Sequence, residues 1–352
     1  MNKKLTVFVG LSGGVDSGVA ATRLLQQGYT VVGVFIKVWH PDFMVCNWEQ
    51  ERLDAMRVAA HLGIPFLTCD AEAEYRDEVA QYFITAYTLG KTPNPDVMCN
   101  QYVKFGAFLR FAKERGADFI ATGHYAERVD TPSGPQLHRG TDPEKDQSYF
   151  LWTLSNEQLA YSLFPIGNTT KKEIRKEAEA ARLPVATKKD SQGICFLGHV
   201  DIPEFLSHYT TLVPGLVLDE QGNAIGTHVG ALVYTVGQRH GFTITTANTN
   251  RDPLFVIDKD LVANTITVST TRQTTVARGA LTLFSTVVRE TLTEGETLEA
   301  QFRYRQKPFA VTIKNITDNS LTLLPLEEVD QPAAGQSCVL YKGTHCIGGG
   351  II

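Results

Sequence analysis

The chain has 352 residues, of which 43% are hydrophobic and 20% are charged, and its formal net charge at pH 7 is −5. This composition predicts a globular protein of two or three domains, and no apolar run reaches the ~18–20 residues of a membrane span, so we expect no membrane partner. The negative charge argues against a protein that coats nucleic acid by bulk charge alone, but it allows a local basic surface.

The N-terminal residues run directly into an apolar stretch at 5–9, which predicts a buried parallel strand. No signal or transit peptide precedes this strand, so we expect a cytoplasmic protein. A glycine-rich turn follows, and residues 18–25 then have the apolar spacing of a helix packed on the strand. Such a turn presents backbone N–H groups at the positive end of a helix dipole, where they can hold phosphate oxygens.

The turn has the sequence Gly10-Leu11-Ser12-Gly13-Gly14-Val15-Asp16-Ser17. It lacks the lysine of a Walker A loop, and a serine stands where a dinucleotide fingerprint needs its second glycine. The remaining pattern, Ser-Gly-Gly-x-Asp-Ser, resembles the pyrophosphate loop of the N-type ATP pyrophosphatases, which split ATP between its α and β phosphates. A glycine-rich turn used only for strand–helix packing is the alternative.

Strand and helix patterns alternate as far as residue 122, which predicts a doubly wound parallel sheet of the α/β class. Further strands are predicted at 30–36, 65–69 and 118–122, with helices at 50–62, 72–89 and 101–115. Ligands bind such sheets at the carboxyl ends of the strands, where Gly10, Ile36, Asp70 and Gly123 would meet. We therefore expect the segment Gly123-His124 to face a nucleotide, and the role of His124 stays open.

A loop stiffened by two prolines, at residues 90–100, precedes the helix at 101–115. Asn100 is a candidate N-cap, which would place Cys99 at or just before a helix N-terminus. That environment lowers the pKa of a thiol and favours a nucleophilic thiolate. A buried structural cysteine is the alternative.

Six cysteines occur in the chain: Cys46, Cys69, Cys99, Cys195, Cys338 and Cys346. None forms a Cys-x-x-Cys pair, and no nearby histidine gives the spacing of a zinc site. We therefore expect free thiols, one or two of them catalytic, and no metal site. Cys195 lies between two glycines that let the backbone approach a ligand, although an apolar run such as 194–197 is usually core.

Two features interrupt the α/β pattern. A hairpin is predicted near residues 125–148, around a turn at 130–135. Seven Lys and Arg residues then stand against three Glu in the segment 171–189. That segment is either a local basic site or an ordinary solvated helix face.

From about residue 212 the chain becomes all-β. The predicted strands are at 229–236, 255–258, 265–269, 281–288, 298–304, 310–316, 321–324 and 337–341. We predict a catalytic domain at 1–205, a small central β domain at 206–275 and a C-terminal β-barrel at 276–352. Alternation along 301–307 would put Arg303, Arg305 and Lys307 on one face, suited to a phosphate backbone or simply to solvent.

Five motifs in this order identify the chain as a member of the tRNA-specific 2-thiouridylase family, and the resemblance runs end to end. They are the glycine-rich loop and the segments 94–100, 190–196, 234–241 and 303–306. The resemblance implies an enzyme that uses ATP to replace the C2 oxygen of the wobble uridine of tRNA with sulfur. It also implies an adenylylated C2 oxygen and a cysteine persulfide as intermediates.

The resemblance assigns the ATP site to residues 10–17, with Ile36 and Gly123 lining it. Ile36 stands where the family often has Met. The residues implied to meet the target base are Asn94, Pro95 and Asp96, and Asp96 is also assigned to catalysis.

The remaining roles concern sulfur and RNA. The resemblance makes Cys99 the nucleophile and Cys195 the carrier of the persulfide. The residues implied to contact tRNA are Lys145, Asp146, Gln147, Arg303 and Tyr304.

The implied substrates and partners are ATP with Mg²⁺, tRNA, and a persulfide donor that is either a cysteine desulfurase or a sulfur-relay protein, with no tightly bound cofactor. Direct attack by the persulfide and release of sulfide after attack by Cys99 both require Cys99 and Cys195 to be close together. Two other functions stay open. A ligase or amidotransferase acting on a small molecule explains the loop but not the cysteines, and an RNA-binding module would have a vestigial nucleotide site.

Overall fold

The structure is a computed structural model that describes residues 4–44, 48–190, 193, 195, 197–198, 200–246, 252–271 and 279–352. Cys46, the motif residues Ser191, Gln192, Ile194 and Phe196, and the predicted domain boundary at 275–276 lie outside the described residues. The division into domains at 1–205, 206–275 and 276–352 stays a prediction.

The described residues of the first domain form seven strands: β1 (Thr6–Gly10), β2 (Thr30–Lys37), β3 (Phe66–Asp70), β4 (Phe119–Ala121), β5 (Ala126–Thr131), β6 (Gly134–Arg139) and β7 (Ser162–Leu163). Five of them form a parallel sheet in the order β3-β2-β1-β4-β7. Val7 and Val9 belong to the core on one face of this sheet, and Phe8 belongs to the core on the other. The predicted doubly wound sheet is confirmed.

Helices cover both faces of the sheet. One face packs against Val15–Gln26, Trp48–Leu62 and Lys171–Ala180. The other packs against two long helices, and each contains a π-helical segment, Tyr75–Ala80 in the first and Cys99–Ala107 in the second. Their α-helical segments are Glu72–Glu74, Gln81–Thr88, Pro95–Met98 and Phe108–Glu114. None of the helices in the described part of the chain has the length and apolar character needed to span a membrane.

The second long helix begins earlier than predicted. Its N-cap is Asn94, whose Oδ1 accepts a hydrogen bond from the Val97 N–H at 3.3 Å, and Pro95 supplies the fixed φ that suits the first helical position. Asn100 is not a cap, because its Nδ2 donates to the Phe150 carbonyl at 3.1 Å. Cys99 therefore lies inside the helix, and its expected position at a helix N-terminus is wrong.

The central domain is a five-stranded sheet preceded by a short helix, Ile202–Ser207. Its strands are β8 (Gly215–Leu218), β9 (Ala224–His228), β10 (Phe242–Ile244), β11 (Phe255–Asp260) and β12 (Thr265–Ser269). The predicted strand at 229–236 is wrong: Gly230 and Gly237 both have positive φ, and between them lies the 3-10 turn Ala231–Val233. Ala231 and Val233 of this turn are buried all the same, and Leu232 is partly buried.

In the C-terminal domain, residues 279–352 form six strands: β13 (Leu281–Val288), β14 (Thr297–Gln301), β15 (Phe309–Ile316), β16 (Ser320–Pro325), β17 (Ser337–Lys342) and β18 (His345–Ile351). Pairing of β13 with β18 closes them into the predicted antiparallel barrel. The hairpin β5–β6 is also confirmed, but β6 pairs with β18 at His138–His345. A part of the first domain therefore extends the sheet of the barrel.

The predicted strand face carrying Arg303, Arg305 and Lys307 is wrong. Strand β14 ends at Gln301, and Oε1 of Gln306 accepts hydrogen bonds from the N–H groups of Phe302 and Arg303 at 2.8 and 3.1 Å. These bonds close a turn in which Arg305 has a φ of 62°. A turn has no two-residue alternation, so the three cations do not share one face.

Arg289 ties the barrel to the first domain, and we expect Arg289→Met to lower the free energy of unfolding by about 2–4 kcal/mol. Its Nη1 donates to the carbonyls of Trp152 and Leu154 at 2.8 Å each, and its Nη2 donates to the Cys346 carbonyl at 2.5 Å. The substitution removes the donor from all three. Urea unfolding checks the result, with the exposed Lys314→Met as control. A loss no larger than that of the control would contradict the prediction.

Candidate active site

The glycine-rich loop connects β1 to the helix Val15–Gln26. Gly13 has a φ of 68°, and a Cβ added there would lie 2.5 Å from the Glu51 carbonyl oxygen, so the position requires glycine. Gly14 caps the helix without a side-chain hydrogen bond. Because the first N–H groups of a helix lack partners within it, the loop offers donors to an anion.

Two predicted nucleotide-site residues lie against this loop. A Cβ added to Gly123, after β4, would be 2.7 Å from the Ser17 backbone nitrogen, so the backbones are in close contact. Ile36 is buried near the end of β2, and its Cδ1 would lie 3.7 Å from a Cβ added to Gly10. The structure thus brings the loop, Ile36 and Gly123 together at the carboxyl edge of the sheet.

Two lysines of the basic segment 171–189 also reach the loop. Lys171 Nζ lies 2.7 and 2.8 Å from the carboxylate oxygens of Asp16, which also accepts a bond from the Tyr125 hydroxyl at 2.8 Å. Lys188 Nζ donates to the Gly13 carbonyl at 3.0 Å. These two lysines therefore lie against the loop, and the choice between a local basic surface for nucleic acid and a solvated helix face stays open for the segment 171–189. The sequence marked the segment by its charge but could not show which lysines face the loop.

Asp190 connects this cluster to the predicted RNA-binding residue Lys145. Its carboxylate pairs with Lys171 at 2.9 Å, Lys145 at 3.0 Å and Arg175 at 2.5 Å. Burial alone would raise the pKa of Asp190, but the hydrogen bonds and charges of Lys171 and Lys145 lower it to about 2. Asp190 therefore stays ionised at neutral pH and holds three cations in one place.

This pairing predicts acid sensitivity. A carboxyl whose pKa is lowered by folding stabilises the fold above its unfolded pKa of about 4, and this contribution is lost as the pH falls towards 2. Since the side chain is 32% exposed, we expect only about 1 kcal/mol after solvent screening. Asp190→Asn should be less stable than the parent by this amount at neutral pH and equally stable near pH 2. Urea titrations at both pH values check this, with the exposed Asp318→Asn as control; a deficit that persists at low pH would contradict it.

The second cluster is the cysteine pair. Cys99 is buried, Cys195 is half-buried, and their Sγ atoms are 3.5 Å apart, which confirms the expected proximity. The segment carrying Cys195 is held at two points: its N–H donates to Asp96 Oδ1 at 2.7 Å, and its carbonyl accepts a bond from the Tyr75 hydroxyl at 2.9 Å. The separation exceeds the ~2.05 Å of a disulfide bond, so both residues are free thiols.

The two cysteines differ in acidity. Burial raises the pKa of Cys99 well above its ordinary value, opposite to the lowering expected at a helix N-terminus. The hydrogen bond from Cys99 lowers the pKa of Cys195, and the charge of Lys104 adds to this effect against the cost of burial. Cys195 is therefore the more acidic thiol and Cys99 the donor of the S–H bond.

His124 is a neutral residue within reach of the charge of Lys104. It is buried, and its Nδ1 lies 2.7 Å from the Thr122 hydroxyl. Burial lowers its pKa well below the ordinary value, and the charge of Lys104 contributes in the same direction. A neutral imidazole adds no charge to the cluster.

The residues assigned to RNA fall into two groups. Asn94, Arg303 and Tyr304 line a pocket of about 160 Å³ where the barrel faces the first domain. Asp146, in contrast, is 8% exposed, and its carboxylate accepts bonds from Arg139 and Ser148. The side chain of Gln147 accepts a bond from the Tyr125 N–H at 3.0 Å. Both side chains thus serve the fold, and the implied contacts with tRNA stay predictions.

Comparison with known proteins covers the whole architecture. Residues 5–199 match a family model described as the tRNA methyl transferase HUP domain, residues 203–270 match the tRNA methyl transferase PRC-barrel domain, and residues 281–352 match the aminomethyltransferase beta-barrel domain. The chain is 44% identical to the tRNA-specific 2-thiouridylase MnmA of Lacticaseibacillus paracasei, across 100% of this chain and 95% of that protein. It is 43% identical to the MnmA of Proteus mirabilis, across 100% and 98%.

Among solved structures, the NMN synthetase of Francisella tularensis is similar over 55% of this chain and 70% of its own, with 17% identity and a TM-score of 0.35. A likeness of this extent carries no argument about activity.

Proposed function

The chain belongs to the tRNA-specific 2-thiouridylase family, and from that premise we propose that it is an ATP-dependent tRNA sulfurtransferase of the cytoplasm. It replaces the C2 oxygen of the wobble uridine with sulfur and releases AMP and pyrophosphate. The observation that carries the proposal is the 3.5 Å separation of the Cys99 and Cys195 sulfurs, which stand 96 positions apart in the chain. They lie in the same domain as a loop built to hold an anion.

The first step activates the uridine, because its C2 carbonyl is a poor electrophile without a leaving group. The C2 oxygen attacks the α-phosphorus of ATP, which enters with Mg²⁺ as its substrate complex. A new O–P bond forms, the α–β phosphoanhydride bond breaks, and pyrophosphate leaves with the electron pair. The N–H groups after Gly14, with Lys171 and Lys188 beside the loop, support this step because they stabilise the charge of the departing pyrophosphate.

The second step transfers sulfur. The terminal sulfur of a Cys195 persulfide attacks C2, the C2–O bond breaks, and AMP leaves. Cys99, after losing its proton, then attacks the Cys195 sulfur, so that the thiolated base departs and a Cys99–Cys195 disulfide remains. In the other scheme Cys99 attacks the persulfide first, and the released sulfide attacks C2. Both end with the same disulfide, which a thiol reductant returns to two thiols with two electrons.

The target base reaches the cysteines from the side of the barrel. The pocket lined by Asn94, Arg303 and Tyr304 opens next to the helix that carries Asp96 and Cys99. A base turned out of an RNA loop can stack on an aromatic ring such as Tyr304, while Arg303 meets a phosphate. Asp96 takes part by fixing the backbone of Cys195. The partner that loads Cys195 is a cysteine desulfurase or a sulfur-relay protein.

A nucleoside assay tests the proposal. The protein is incubated with unmodified tRNA, Mg²⁺, a thiol reductant and a cysteine desulfurase with cysteine, which supplies persulfide sulfur, with and without ATP, and the digested nucleosides are weighed by mass spectrometry. We expect 2-thiouridine only when ATP is present. Formation of AMP and pyrophosphate without thiolated nucleoside would instead favour a ligase or amidotransferase, and absence of both would favour an RNA-binding module.

A further inference from the structure

A lysine that has no assigned role lies among the reacting groups of the cysteine site. Lys104 follows Cys99 by five positions in the second long helix, and its ammonium group hydrogen-bonds to the side chain of Cys195. It also lies near enough to Cys99 and Asp96 to interact with their charges. The mechanism described above makes no use of this cation.

The helix type explains how Lys104 arrives there. In an α-helix, residues five positions apart lie about 140° apart around the axis, so Lys104 would point away from the face of Cys99. The segment Cys99–Ala107 is π-helical, and it ends with an i→i−5 bond from the Phe108 N–H to the Val103 carbonyl. The wider turn of a π-helix brings residues i and i+5 towards one face. A π-helical segment is rare and costs stability, so its position at the cysteine pair favours a functional reason.

Cys195 is the sulfur beside the ammonium group that can carry a negative charge. The ammonium group interacts with Cys99 and Asp96 on its own helix, with Cys195 and with His124 after β4, and Tyr75 of the first long helix lies beside Cys195. Burial raises the pKa of Tyr75 and of Cys99 and lowers that of His124, so these three are neutral near pH 7. The Asp96 carboxylate already accepts the Cys195 N–H. Cys195 accepts the S–H bond from Cys99, so its sulfur is placed to hold a negative charge.

We propose that Lys104 is a further catalytic residue, whose ammonium group holds Cys195 Sγ as the thiolate that accepts sulfur. In this step the Cys195 thiolate attacks the outer sulfur of a donor persulfide. A Cys195–sulfur bond forms, the sulfur–sulfur bond of the donor breaks, and the donor leaves as a thiolate with the electron pair. The inference rests on the proposed function, but the charge pair itself is measurable without RNA or ATP.

Alkylation with iodoacetamide measures the thiolate, because only the thiolate reacts. Cys195 is the one cysteine in the described part of the chain that is not buried, and peptide mass mapping separates it from Cys46. The rate at Cys195 is followed between about pH 5.5 and 9.5 in the parent, Lys104→Met, Lys104→Arg and, as control, the exposed Lys314→Met.

We expect Lys104→Met to react at Cys195 at least ~10-fold more slowly than the parent at pH 7, with its pH profile shifted upwards, because each pKa unit changes the thiolate fraction tenfold. Lys104→Arg keeps the charge and should lie close to the parent, as should Lys314→Met. An unchanged profile in a folded Lys104→Met protein would overturn the inference. If the parent makes no 2-thiouridine while the shift is present, the proposed function fails and the cation–thiolate pair stands.

Discussion

Cys99→Ser is expected to lower formation of 2-thiouridine by a factor on the order of 10³ or more. A serine hydroxyl cannot attack the Cys195 sulfur at neutral pH, and it cannot close the disulfide that ends either scheme. The first step does not use this thiol, so pyrophosphate release in the presence of tRNA should remain. Mass spectrometry of the nucleosides and a pyrophosphate assay on the same samples measure the two steps separately.

The matched control is Cys338→Ser, which makes the same exchange at a fully buried thiol of the barrel. This control measures how much activity is lost when serine replaces a buried cysteine that lies outside the cysteine site. A Cys99→Ser protein that keeps a tenth or more of the activity of this control would show that the thiol is not the nucleophile. A peptide linked through Cys99 and Cys195, isolated from the parent after turnover without reductant, would support the assignment directly.

Gly123→Ala is expected to lower kcat/KM for ATP by roughly 5- to 150-fold, which corresponds to about 1–3 kcal/mol of overpacking. The new Cβ would lie 2.7 Å from the Ser17 nitrogen and 2.8 Å from the Asp16 carbonyl carbon. Both are backbone atoms, so the clash cannot be relieved by a side-chain rotation and the start of the phosphate-binding helix must move. Pyrophosphate release at varied ATP concentration measures the effect.

Gly279→Ala is the control, since a Cβ added there meets no atom of the described residues within 4 Å. We expect it to behave as the parent. If Gly123→Ala also keeps the parent value, the contact between Gly123 and the loop has no part in nucleotide binding, and the assignment of Gly123 fails with it.

The sequence predicted most of what depends on local pattern. Short apolar runs alternate with segments of helical periodicity, and this alternation indicated the parallel sheet. The spacing of Ser12, Gly13 and Asp16 indicated the glycine-rich loop. The errors arose where a tertiary contact decided between local choices. Asn100 has the chemistry of a cap, but Asn94 followed by Pro95 starts the helix, and Asn100 bonds to the Phe150 carbonyl instead.

Other features of the site were outside the reach of pattern reasoning. A π-helical segment has no simple signature in residue type, so the position of Lys104 beside Cys195 could not be foreseen. The alternating residues 303–307 look like a strand, but the amide of Gln306 closes them into a turn. The strand that pairs with the hairpin could not be predicted either, because nothing in residues 134–139 indicates that β18 is the neighbouring strand.

That pairing has a consequence for synthesis on the ribosome. His138 and Thr344, which meet at 2.9 Å, are 206 positions apart. At a translation rate of ~5–20 residues per second, the edge of β6 stays unpaired for about 10–40 s before β18 has been synthesised. An unpaired strand edge is a site at which nascent chains can associate wrongly. The polar side chains of Gln136, His138 and Arg139 along this edge suit a strand that must remain in water during that interval.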